Sequence, residues 1–210
     1  MTNIVHQNDL PSDVIFKHSV AIDTEAMGLN NHRDRLCLVQ ISAGDGHAHL
    51  VQFDKGNYNA PNLKKLLTDQ NILKIFHYAR FDMAVMKRYL GVDVENVYCT
   101  KIVSKLVRTY TDSHSLKNLC EELLDKKLSK QCQSSDWGSA KLSKEQIQYA
   151  ASDVLYLHDL KDALDKMLAR EGREDLAISC FNFLKTRIAL DLGGWIDHDI
   201  FSHGGTGSKS

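Results

Sequence analysis

Between residues 19 and 53 the chain alternates short apolar runs, rich in β-branched residues, with turn formers. Ser19-Val20-Ala21-Ile22-Asp23, Leu36-Cys37-Leu38-Val39-Gln40-Ile41 and His47-Ala48-His49-Leu50-Val51-Gln52-Phe53 are each bounded by Gly, Asn or Asp, and predict three consecutive strands with hairpin-length connections. Pro61 to Leu67 reads as a helix with proline in its first turn. The apolar run Ile72 to His77 reads as a strand, and Phe81 to Leu90 as a helix stopped by Gly91. From Thr100 onward helical spacing dominates: Thr100 to Val107, Ser115 to Leu124, Ser143 to about Arg170, and Glu174 to Leu192. Ser143 followed three residues later by Gln146 has the pattern of a capping box. Lys126 to Leu142 shows no period and reads as a functional loop. The Gly-rich end from Gly204 to Ser210 reads as disordered, and no internal repeat is found.

Strands followed by strand-helix alternation predict an α/β class, a mixed sheet of about five strands flanked by helices. At 210 residues the chain is expected to form one globular body over 1–202, with its core at about 15–170, a C-terminal helix at about 174–192 and a tail at 203–210.

Composition narrows the function classes. Hydrophobic residues at 43% and charged residues at 25% describe a folded, water-soluble body. No apolar stretch reaches the roughly 18 residues of a membrane span, and the first residues lack a signal-peptide pattern, so no membrane partner and a cytoplasmic location are expected. The five scattered cysteines, never spaced Cys-x-x-Cys, read as free thiols. A net charge of −1 excludes a protein that coats nucleic acid, so any such contact must be local. His47 and His49 share a strand face, but without a third ligand they read as exposed histidines.

The candidate chemistry lies in acidic residues. Asp23 and Glu25 are two apart at the end of a strand and so point to one side, where adjacent like charges favour a hard divalent cation. Alone, the pair equally describes a solvated turn. Asp82 falls in the first turn of a helix, where an acid also complements the helix dipole. Tyr149 and Asp153 are four apart on one helix face, beside Ala150 and Ala151, which permit close approach.

Taken together, Asp23-Thr24-Glu25, His77-Tyr78-Ala79-Arg80-Phe81-Asp82 and Tyr149-Ala150-Ala151-Ser152-Asp153 follow the order and spacing of the three exonuclease motifs of the DEDD superfamily. Tyrosine four residues before the last aspartate places the resemblance on the tyrosine-containing DEDDy branch. Within it the chain resembles ribonuclease D, through Asp136-Trp137, Leu142, Gln146, the Tyr149 to Leu157 run and His114 to Leu119, over about residues 15 to 170. Two features depart from that family. The helical C-terminal nucleic-acid-binding (HRDC) domains of its longer members are missing, and Ala26-Met27 stands where an aromatic residue often follows the first motif.

The resemblance implies a ribonuclease H-like fold and a 3′-to-5′ exoribonuclease that releases nucleoside 5′-monophosphates, with tRNA or other structured RNA 3′ ends as expected partners. It implies two divalent metal ions, Mg²⁺ or Mn²⁺, held by Asp23, Glu25, Asp82 and Asp153, with Tyr149 orienting the attacking water. Met27, Gly28, Leu29, His77, Phe81 and Lys130 are the expected nucleic-acid contacts, although Met and Phe more often belong to a core, His77 better suits a structural hydrogen bond, and the Lys126, Lys127, Lys130 cluster equally describes a solvated face. A DNA exonuclease and a catalytically silent nucleic-acid-binding module are the alternatives. An inactive module is expected to lack some of these five residues, all of which are present.

Overall fold

A computed structural model describes residues 2–129, 132 and 135–203. Lys130, one of the expected nucleic-acid contacts, and the end from Gly204 to Ser210 lie outside the described residues. The strands are β1 (Thr2–Gln7), β2 (Ser19–Ala26), β3 (Leu36–Ser42), β4 (His47–Gln52), β5 (Leu73–Phe76) and β6 (Val97–Cys99). The helices are α1 (Pro61–Thr68), α2 (Ala79–Leu90), α3 (Thr100–Val107), α4 (Leu116–Leu124), α5 (Lys144–Leu155), α6 (Leu157–Glu171) and α7 (Glu174–Leu190), the last running into a π turn over Asp191–Trp195.

The six strands form one mixed sheet in the order β1-β4-β3-β2-β5-β6. The apolar runs read as hairpin strands are antiparallel β2, β3 and β4, while β1, β5 and β6 add parallel pairs. Four of the six strands were placed on residues by the sequence, and β1 and β6, which gave no sequence signal, complete the sheet. β1 is a largely exposed edge strand and β6 is only three residues long.

Alternation along β2 sends its two sets of side chains into two cores. Val20 and Ile22 pack with α1, α2 and the end of α7 on one face. Ala21 packs on the other with Leu38, Leu50 and helices α3 to α6. Ser143 caps α5 in a complete capping box with Gln146, and Gly91 ends α2 in the left-handed conformation at φ 73°. The long helix expected from Ser143 to Arg170 is broken at Tyr156, the shared cap of α5 and α6, so that α5 lies across β2, β3 and β4 while α6 packs on α3.

Candidate active site

β2 carries the first acids to the centre of the sheet and a β-bulge between Glu25 and Ala26 ends its regular pairing there. Asp23 and Glu25 face α5, whose small Ala150 and Ala151, both buried, let the helix settle close enough to bring Asp153 to them. Carboxylate oxygens of Asp23, Glu25 and Asp153 all lie within 4.8 Å of one another. Thr24 points the other way and donates its hydroxyl to buried Asp82 on α2 at 2.7 Å, which locks the fourth acid beneath the strand.

Such crowding makes the charged forms costly. Burial pushes Asp23 up to about 7, against the opposing pull of the Thr24 backbone N–H that donates to it. Burial and then the neighbouring Asp23, Asp153 and Asp82 push Glu25 up to about 10. Asp82 and Asp153 are raised well above the ordinary carboxylate range, first by burial and then by Asp23; the hydroxyls of Thr24 and Tyr149 oppose this by donating to them. Four acids in this state are short of positive charge. An all-oxygen donor set of this density suits a hard divalent cation such as Mg²⁺ or Mn²⁺. Tyr149 is itself shifted upward, by burial and then by Asp153 and Glu25, so its phenol stays protonated and acts as a donor.

Asp23, Glu25 and Asp153 open into a cavity of about 630 Å³, a size that suits a small ligand or the end of a polymer, while Asp82 is not among its lining residues. Met27, Gly28, Leu29, His77 and Phe81 all line it, beside Asp23, Glu25, Tyr149 and Asp153. Gly28 also meets a local need, because a Cβ there would stand 2.3 Å from the Asp34 carboxylate. His77 lines the wall while its Nδ1 shares a hydrogen bond of 2.9 Å with Thr100, and burial holds its imidazole down to about 3, so it stays neutral. Lys126 and Lys127 are not among the lining residues.

The wall also holds residues that periodicity and motif spacing did not select. Lys101 and Lys117 bring positive charge, and Lys101 lies 4.3 Å from the ring of Tyr78, which adopts φ 74°. Trp137 is stacked at a tilt on Tyr149, with centroids 6.0 Å apart. Its segment is pinned by Gln146 to the Asp136 carbonyl at 3.2 Å, Arg35 to that of Gly138 at 3.1 Å and Gln52 to that of Ser139 at 2.9 Å. Asp136-Trp137 and the run His114 to Leu119 were visible signals for Trp137 and Lys117; nothing in the sequence marked Lys101.

Comparisons with known proteins agree with this geometry. A family profile described as 3′-5′ exonuclease matches residues 2–169. The ribonuclease D of Gluconacetobacter diazotrophicus is 33% identical over 160 residues, which span 76% of this chain and 40% of that protein. The chain thus covers about 40% of the length of the curated ribonuclease D relatives. NrnC of Brucella melitensis, solved with bound Mg²⁺, is 56% identical with a TM-score of 0.93 over 97% of this chain and 100% of that one. A second structure of that protein, bound to pGG, superposes with a TM-score of 0.94 at the same identity and coverage. The chain belongs to the 3′-5′ exonuclease family, on a ribonuclease H-like scaffold.

Proposed function

We propose that this protein is a 3′-to-5′ exoribonuclease that hydrolyses the last phosphodiester bond of an RNA strand and releases a nucleoside 5′-monophosphate. The observation that carries this reading is the convergence of carboxylate oxygens from β2 and α5 within 4.8 Å, above Asp82 and at the floor of a cavity with basic and aromatic walls. Asp23, Glu25 and Asp153 would hold one divalent cation, and Asp23 with Asp82 a second. Such a pair of ions, Mg²⁺ or Mn²⁺, supplies activation of water and neutralisation of the phosphate and of the leaving 3′-oxygen.

The chain's own side chains do the rest. In the hydrolysis a water gives up a proton as its oxygen bonds to phosphorus, the bond from phosphorus to the 3′-oxygen breaks, and that oxygen takes up a proton. Tyr149, kept protonated, hydrogen-bonds the water and places it instead of removing its proton. Lys101 and Lys117 face phosphates of the strand entering the cavity, and Met27, Leu29 and Phe81 offer apolar surface to the terminal bases.

Two RNA classes are compatible with this chemistry, structured 3′ ends such as tRNA precursors and very short oligonucleotides. The second is favoured by the relative bound to pGG, which matches nearly all of this chain. One experiment tests the assignment. Single-stranded RNA and DNA, labelled at either end, are incubated with Mg²⁺, Mn²⁺ or chelator, beside a tRNA precursor and 5′-phosphorylated RNA of two and of twenty nucleotides. Stepwise loss from the 3′ end of RNA, abolished by chelator and fastest on the shortest substrate, is expected. Metal-independent cleavage, or none, rejects the exonuclease reading; preference for DNA rejects the sugar assignment, and preference for the tRNA precursor rejects the short-substrate one.

A further inference from the structure

Gln40 lies in the middle of β3, fully buried, and neither Nε2 nor Oε1 has a hydrogen-bond partner. Among the described residues it is the one side-chain amide with both ends unmatched. Buried amides are expensive to leave without partners, and native proteins retain them where a partner arrives with a ligand or a change of state.

Its position supplies the partner. In the antiparallel β2–β3 ladder Gln40 stands directly opposite Asp23. Cross-strand partners project to the same face with their Cβ atoms roughly 4.5–5.5 Å apart, so the amide lies beside Asp23 in the layer beneath α5. Ala21, Leu38 and Leu50 from the sheet and Ala150, Ala151 and Val154 from the helix share that face, and its buried polar side chains Ser42 and Gln52 already donate to the carbonyls of His47 and Ser139. A contrast exists within the same strand. Asp82 has a side-chain donor in Thr24, at 2.7 Å, whereas Asp23 finds among the described residues a backbone N–H, that of Thr24.

We infer that Gln40 is a positioning residue for Asp23: its Nε2 donates to the Asp23 carboxylate once divalent cations are bound, fixing the orientation of the ligand that serves both ions. The inference rests on the metal-binding reading proposed above. Residues that hold metal ligands from behind typically change metal affinity or activity by roughly 10–100-fold when removed.

The test is Mn²⁺ titration by calorimetry of metal-free wild type, Gln40→Met, Asp23→Asn and the double variant, with melting temperatures in chelator. Gln40→Met should melt at or above the wild-type temperature, because an unmatched amide is exchanged for an apolar chain of similar size. Its Mn²⁺ affinity should fall roughly 10–100-fold. In the Asp23→Asn background the same change should have less than about a twofold effect, since a residue acting through Asp23 has nothing left to hold. Wild-type affinity in Gln40→Met, or an undiminished loss in the double variant, overturns the inference. Should Gln40→Met not fold, Gln40→Leu is read the same way, and failure of both assigns the amide to the core and also overturns it. A wild type that binds no Mn²⁺ sinks the metal reading as well, which separates the two failures.

Discussion

Two regions of this molecule bury aspartate in opposite ways. Asp191, where α7 enters its π turn, is buried between two arginines: Arg80 grips it at 2.6 and 2.8 Å and Arg187 adds a bond of 2.9 Å. Asp82 sits as deep with the half-buried Asp23, Glu25 and Asp153 beside it, and none of the ion pairs among the described residues includes these four acids. Their steadying contacts are neutral donors, Thr24 and Tyr149. The first arrangement is self-sufficient and ties the C-terminal helix to α2. The second is incomplete in charge, and an incomplete cluster at the floor of an open cavity is fitted to take cations from outside.

The largest expected effect breaks the comparison at both ends. Asp23→Asn or Asp153→Asn should reduce nuclease turnover to background while the metal-free melting temperature holds or rises, because repulsion is relieved. Asp191→Ala should do the reverse. Breaking a buried pair costs roughly 3–5 kcal/mol, here toward the lower end because Arg80 is a third exposed, with turnover per folded molecule kept at low temperature. Calorimetric melting and a turnover assay on all three variants check this. Equal destabilisation across the set would mean that both clusters are structural.

pH sharpens it next. The acids bind protons more tightly folded than unfolded, so their contribution to the metal-free fold is fully present below about pH 4. It is lost as pH rises through about 7 for Asp23 and about 10 for Glu25. Wild type should therefore lose melting temperature relative to Asp23→Asn over that window, and saturating Mg²⁺ should abolish the loss. Taking the difference between the two proteins cancels His77, whose depressed imidazole acts in the opposite sense at lower pH. A pH-independent difference would show that the cluster is ionised without metal. Tyr149→Phe is a smaller perturbation: it should lower turnover roughly 10–100-fold, with the bulk of the Mn²⁺ affinity retained.

How far the sequence reached follows the same division. β2 to β4 were legible because central strands must be apolar, and the capping box of α5 and Gly91 after α2 because local hydrogen bonds set them. β1 escaped because an exposed edge strand needs no alternation, and the break at Tyr156 because tertiary packing, not composition, divides α5 from α6. In the site, the acids and Tyr149 were found through their motif order. Lys101 and Gln40 were not, since a lysine on α3 and a glutamine in β3 acquire meaning only when the sheet sets them beside the cavity wall and Asp23.

The smallest expected effect concerns those cavity cations. Because no lysine among the described residues is paired with the acid cluster, Lys101 and Lys117 remain available for substrate phosphate. Loss of either contact should weaken ground-state binding more than the chemical step, so Lys117→Ala should raise KM several-fold with kcat nearly unchanged. It should also lower the steepness of log(kcat/KM) against log salt by about 0.7, the value of one phosphate contact on a single strand. Lys126→Ala, outside the cavity wall, serves as the control and should leave both quantities alone. If Lys117→Ala instead lowers kcat at constant KM, the lysine acts on the acid cluster or the reacting phosphate, and the separation between a cation-hungry floor and a phosphate-binding wall fails.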